Sequence, residues 1–141
     1  MPEKKTIERA RKDKREGKAA TTQAGEFVRE EIEHIREGKH GARSTKQAIA
    51  IGLSKARRAG VELPPPKKGT APESTRKQAE REYKQAQHGD QHVPSAKRSR
   101  ASVQALKREP RSVASKSALS KQAKQAAARR RARGKVTGAG R

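Results

Sequence analysis

Leucine, isoleucine, valine and phenylalanine supply only 16 of 141 residues, and this scarcity constrains the fold more than any other feature. Single Met and Tyr residues raise the count of large apolar side chains to 18; the other 23 hydrophobic residues are alanines. Ordering the backbone costs roughly 1–2 kcal/mol per residue, whereas burying one large apolar side chain returns about 1.5–3 kcal/mol. So few large side chains cannot offset the entropy of the full length. A Leu, Ile, Val and Phe content under ~20% with high net charge is the composition of chains that stay disordered. The expectation is therefore a mainly α protein, with a small αα-hairpin module followed by a largely disordered, helix-prone basic tail.

Apolar residues of real size concentrate between Phe27 and Leu63, which places the folded part there. Ala24, Val28, Ile32 and Ile35 recur at helical spacing with Phe27 at the margin, predicting a helix over Thr22–Glu37. Thr21 or Thr22 would cap its start, and Gly38 suits a left-handed stop. Glu26, Glu30, Glu33 and Glu37 form an acidic opposite face. Ser44-Thr45-Lys46-Gln47 reads as a capping box opening a second helix that runs to Ala59 and stops at Gly60. Its inward stripe is Ile49, Gly52, Leu53 and Ala56, and the short link from Lys39 to Ser44 makes the pair an antiparallel hairpin.

The expected organisation has four parts. Residues 1–20 are a charged N-terminal helix or arm, either frayed or docked weakly through Ile7, and residues 21–63 are the helical hairpin. Residues 64–73 are a Pro-rich linker, and residues 74–141 are a basic, largely disordered tail with transient helices over 74–88, 102–108 and 115–133. Isolated helices of this size are marginal in water, so the tail is expected to firm up on a polyanion. Lys-Gln-Ala recurs at 46–48, 77–79 and 121–123, at spacings too unequal for a solenoid.

Charge names the class of partner. The chain carries 37 Lys and Arg against 15 Asp and Glu, a net of +22, and residues 111–141 hold ten basic groups and no acidic one. Neutralising phosphates releases condensed counterions, which gives sequence-independent affinity that falls steeply with salt. In the tail the candidate contacts are Lys121, Lys124, Arg129, Arg130, Arg131, Arg133 and Lys135. On the second hairpin helix Gln47, Ile51, Lys55 and Arg58 share an outward face, with Arg43, Lys46 and Arg57 beside them. Gln and Arg are base-reading side chains, but phosphate contact by Arg43, Lys46, Gln47, Lys55, Arg57 and Arg58 is the favoured reading, because no second specificity feature accompanies them. Ile51 on that face points instead to a protein contact or self-association, in which Phe27 would share.

Aromatic residues bear on the kind of nucleic acid. Phe27 and Tyr83 are the whole complement and Phe27 reads as a core residue, which leaves too few for the stacking platforms of single-strand and RNA binders. Duplex DNA is the expected partner, with RNA or ribosome association as the alternative.

Enzymatic chemistry finds no purchase. No histidine–carboxylate pair is placed to activate a serine or threonine, and no core large enough to enclose a substrate pocket is evident. Gly138–Gly140 lacks the preceding strand of a phosphate loop. His88-Gly89-Asp90-Gln91-His92 offers two imidazoles and a carboxylate, and His34 and His40 bracket the hairpin turn, but no rigid set of three ligands is legible. Neither a metal nor any other cofactor is expected. The chain has no cysteine, no apolar stretch of membrane-spanning length and no signal-peptide hydrophobic region. A soluble cytoplasmic protein associated with the nucleoid is the expectation, without a membrane or small-molecule partner.

The block Gly38-Lys-His-Gly-Ala-Arg-Ser-Thr-Lys-Gln-Ala-Ile-Ala-Ile-Gly-Leu-Ser-Lys-Ala-Arg-Arg-Ala-Gly60 resembles the signature of a family of small, basic, uncharacterised bacterial proteins. Thr22-Gln-Ala-Gly-Glu-Phe-Val-Arg-Glu-Glu-Ile upstream and the Pro64–Pro66 exit are similar to the same pattern, so the likeness covers about residues 1–68. Ala105-Leu-Lys-Arg-Glu and Ala118-Leu-Ser-Lys-Gln-Ala resemble the Ala- and Lys-rich, histone-like tails of that family. The resemblance implies a bacterial source and, loosely, DNA binding. It transfers no catalytic or cofactor residue.

Overall fold

A computed structural model describes residues 3–65, 72–87 and 95–139, with side chains through Ala132. The protein is mainly α, with no strand among the described residues. Its helices are α1 (Lys4–Arg15), α2 (Ala20–Arg36), α3 (Thr45–Arg58), α4 (Glu73–Gln87), α5 (Ala96–Lys107) and α6 (Lys116–Ala139), with a 3-10 turn at Ser112–Ala114. Part of the expected proline linker (66–71), the His88–His92 turn and the terminal Gly140-Arg141 lie outside the described residues.

The helix boundaries follow local chemistry. Ser44 Oγ accepts from the Gln47 amide at 3.1 Å as the N-cap, and Gln47 Oε1 reaches back one residue past the cap to accept from the Arg43 amide at 2.6 Å. The start of α2 differs from the expectation: it begins at Ala20 with Ala19 as an N-cap that makes no side-chain bond, rather than at Thr21 or Thr22. Gly38 ends α2 at φ 83°, while the amides of Gly38 and Lys39 return to the Ile35 and His34 carbonyls.

α2 and α3 run antiparallel against each other. Ala24 and Phe27 near the start of α2 share a cluster with Ala56 near the end of α3, whereas Ile32 and Ile35 share one with Ala48. Where they cross, the backbones nearly touch: a Cβ on Gly52 would stand 2.6 Å from Val28 Cα. The inward stripe of α3 is Ala48, Gly52 and Ala56, with Arg57 beside it, and Ile49 and Leu53 are only half-buried. The stripe thus turns about one residue from the reading that favoured the larger side chains. Small residues at i, i+4 and i+8 let the backbones close, which brings Val28 over Gly52.

The first cluster is completed by Ala10 of α1 and by Val61 and Leu63, with Ile7, Ala20 and Leu53 at its edge. Glu30 fastens α1: its carboxylate accepts from the Glu3 amide at 2.6 Å and from Thr6 Oγ1 at 3.1 Å. Expected on an outward acidic face, Glu30 is in fact buried, because an anion beside the first amides of α1 supplies the cap that this helix otherwise lacks.

Candidate nucleic-acid interface

Two of the basic residues expected outward on α3 are turned inward. Arg57 is 5% exposed and donates to the carbonyls of Leu63 at 3.1 Å and Pro64 at 3.2 Å. Burial pulls its pKa below the usual guanidinium range, opposed by the charge of Glu82. Arg57 therefore anchors the chain leaving α3 rather than facing a polyanion. Lys55 is committed to Glu31, a fully buried carboxylate on α2. Gln47 is held by its capping role. Arg43, Lys46 and Arg58 are exposed, although Arg58 stands about 20 Å along the helix from Arg43 at 1.5 Å per residue. Phe27, the apolar partner expected for self-association through Ile51, is 1% exposed and belongs to the core.

The tail supplies the broader cationic surface. Lys121, Lys124, Arg129, Arg130 and Arg131 are all exposed, and no side chain from Ser120 to Ala132 is buried. Arg133 and Lys135 continue α6, their side chains lying outside those described. α5 has no buried residue and adds Lys97, Arg98, Arg100 and Lys107, which the sequence-based candidates omit although Lys97-Arg98-Ser99-Arg100 is visible as a basic run. Charge compensation divides the described residues unevenly. Lys5, Arg9, Lys12, Lys18, Arg29, Lys39 and Lys55 of the body reach carboxylates, as do Arg76 and Lys84 of α4. The described cations of α5 and α6 have no such partner within 4.0 Å.

A clasp joins the two regions. Arg111 donates to the Ile35 and Arg36 carbonyls at 3.2 and 2.7 Å, satisfying the open end of α2. In return, Arg36 Nε donates to the Ala114 carbonyl at 2.8 Å and Thr45 Oγ1 to the Val113 carbonyl at 2.8 Å. The amides of Gly41 and Ala42 donate to the Leu106 and Pro110 carbonyls at 2.8 and 3.0 Å. Gly41 has to be glycine, because the Glu109 carbonyl fills the space of a Cβ. Ala114 is buried with Ile32, Ile35, Ala42 and Ala48, and Leu119 packs against them. Residues 106–119, expected within the tail, thus root α6 beside Arg43 and Lys46 and apart from Arg58.

Metal-ligating groups converge at the same turn. Glu31, His34 and His40 have ligand atoms within 4.8 Å of one another, and so do Glu3, Glu30 and His34. Both histidines stand out in the sequence, whereas Glu31 does not. Its one signal is the i, i+3 spacing of Glu31-Ile-Glu-His34, which sets carboxylate and imidazole one helical turn apart.

No helix among the described residues is long and apolar enough to cross a membrane. Comparison with curated proteins and with solved structures finds no match. Residues 3–68, just under half of the chain, match the model of DUF6496, a family of unknown function.

Proposed function

We propose that this is a non-enzymatic nucleic-acid-binding protein, a bacterial nucleoid-associated protein that binds duplex DNA by touching its phosphates. The observation that carries the reading is the uneven compensation of charge: seven of the sixteen Lys and Arg in residues 3–65 reach carboxylates, while the described cations of α5 and α6 are exposed and have none within 4.0 Å. In this reading the α2–α3 hairpin is the positioning module, with Arg43 and Lys46 beside the root of the tail. The basic tail supplies affinity and completes its helices on the polyanion. α6 spans about 36 Å at 1.5 Å per residue, close to one turn of the duplex. The kinship suggested by the 38–60 block with small, basic bacterial proteins carrying histone-like tails belongs to the same proposal.

Replacing Arg129, Arg130, Arg131 and Arg133 with glutamine tests it by fluorescence anisotropy on duplexes of unrelated sequence. Binding should weaken alike on every sequence, and the slope of log affinity against log salt should become shallower by about 3–4, at about 0.9 for each phosphate that is no longer neutralised. Unchanged affinity would overturn the role given to the tail.

A further inference from the structure

We infer that Glu31, His34 and His40 form a binding site for a divalent transition-metal ion of the zinc class. The donors come from two elements: Glu31 and His34 stand one turn apart on α2, and His40 is supplied by the turn that follows. The donor set, two imidazoles and one carboxylate, is one that zinc takes readily. Their ligand atoms lie within 4.8 Å of one another. Around a tetrahedral zinc with bonds near 2.0–2.1 Å, donor atoms stand roughly 3.3–3.5 Å apart, so side-chain movements of about 1.5 Å or less close the shell.

Two further observations point to a cation here. His40 Nδ1 lies 2.9 Å from the Gly41 carbonyl, which fixes that nitrogen as the donor and, in the neutral ring, leaves Nε2 with its lone pair. That lone pair faces Glu31 Oε2 at 3.2 Å. The second observation is that Glu31 is fully buried and its Oε2 has no hydrogen-bond partner. An acceptor facing an acceptor in a buried site is unfavourable unless a proton or a metal cation lies between them.

The charges around the site are mixed, three carboxylates against three ammonium groups. Lys55 occupies Glu31 Oε1 and neutralises that one carboxylate, leaving Oε2 free to ligate. Glu30, buried with an unpartnered Oε2, and Glu3, whose Oε1 lies 3.3 Å from His34 Nε2, add negative charge on the α1 side. Lys5 and Lys39 offset Glu3, reaching its Oε2 at 3.5 Å and its Oε1 at 3.8 Å. An ion here would tie α2 to the hairpin turn, independently of any contact with DNA.

The test titrates chelator-stripped full-length protein with zinc chloride by calorimetry, and with cobalt(II) by visible absorption. The wild type should bind one ion, show the ligand-field bands of a four-coordinate site, and gain about 5 °C or more in unfolding midpoint at saturating zinc. His34→Gln and His40→Gln should each weaken binding at least ~30-fold, while the His88→Gln/His92→Gln double variant should bind as the wild type does. Zinc-dependent shifts of the His34 and His40 ring nitrogens in the wild type provide the same assignment without a variant. Absence of binding and of a midpoint shift would overturn the inference. So would binding that survives both His34→Gln and His40→Gln, or is lost with His88 and His92.

Discussion

Gly52→Ala is expected to unfold the hairpin more readily even though alanine is the better helix former. On helix propensity alone the change would gain about 0.8–1 kcal/mol. At this position, however, the new Cβ stands 2.6 Å from Val28 Cα, 2.9 Å from Val28 N and 2.9 Å from Val28 Cγ2. Comfortable carbon–carbon contact lies near 3.5–4.0 Å, so the overlap is close to 1 Å, and two of the three atoms are backbone that no rotamer change moves aside. Overpacking of this kind costs roughly 1–3 kcal/mol, and separating α2 from α3 also loosens Phe27 and Ile35. Because the clash is with backbone, the cost falls in the upper part of that range, and the net expectation is a loss of about 1–2 kcal/mol, equivalent to several degrees in the unfolding midpoint. Gly25→Ala is the internal control, because that glycine is in α2 with nothing within 4 Å of its Cβ, so the same substitution should stabilise by about 0.8–1 kcal/mol. Urea denaturation followed by far-UV circular dichroism reads both. A Gly52→Ala protein as stable as the wild type, or more so, would refute the close crossing.

Three further outcomes follow from the same packing. Arg111→Ala should remove two bonds to the end of α2 and cost about 1–2 kcal/mol; its sharper readout is hydrogen exchange, where Gly41 and Ala42 should lose protection as the clasp loosens. Lys55→Met should destabilise by roughly 3 kcal/mol, since it leaves the buried Glu31 carboxylate without its ammonium; a neutral result in urea denaturation would contradict that pairing. In α4 the hydrogen-bonded guanidinium of Arg76 holds the Glu73 carboxyl below the usual carboxylate range. Its folded value is depressed, so this small contribution is present above the unfolded pKa and is lost as pH falls through the folded one. Arg76→Met should return the Glu73 titration, followed by NMR, to the ordinary range.

Local features were legible because they are written in short spacings. The α2 stripe, the Ser44 capping box and the Gly38 stop each need only residues within a turn or two of one another. The inward face of α3 was less so, because size favours Ile49 over Ala48 whereas the packing is governed by how closely Gly52 approaches Val28. Lys55 and Arg57 read as interface cations because a sequence shows that a side chain is charged, not what stands opposite it. Glu31 and the Leu63 and Pro64 carbonyls lie on other elements. The clasp could not be read at all. It is made mostly of backbone carbonyls from residues 106–114 meeting groups some 65–78 positions away, and neither partner carries a pattern. Exposure of the α5 and α6 cations follows from the scarcity of large apolar residues around them, which the composition did convey.

The most direct test of the proposed function compares the full-length chain with residues 1–120, a truncation that keeps the clasp and Leu119. Each would be titrated against an arbitrary DNA duplex across a range of salt, with a matched RNA hairpin alongside. The account predicts tight, salt-steep DNA binding by the full chain. With Lys121, Lys124, Arg129, Arg130, Arg131, Arg133, Lys135 and Arg141 removed, the slope should become shallower by up to about 7. Equal affinity and equal slope for the two proteins, or weak binding of both nucleic acids at moderate salt, would contradict it.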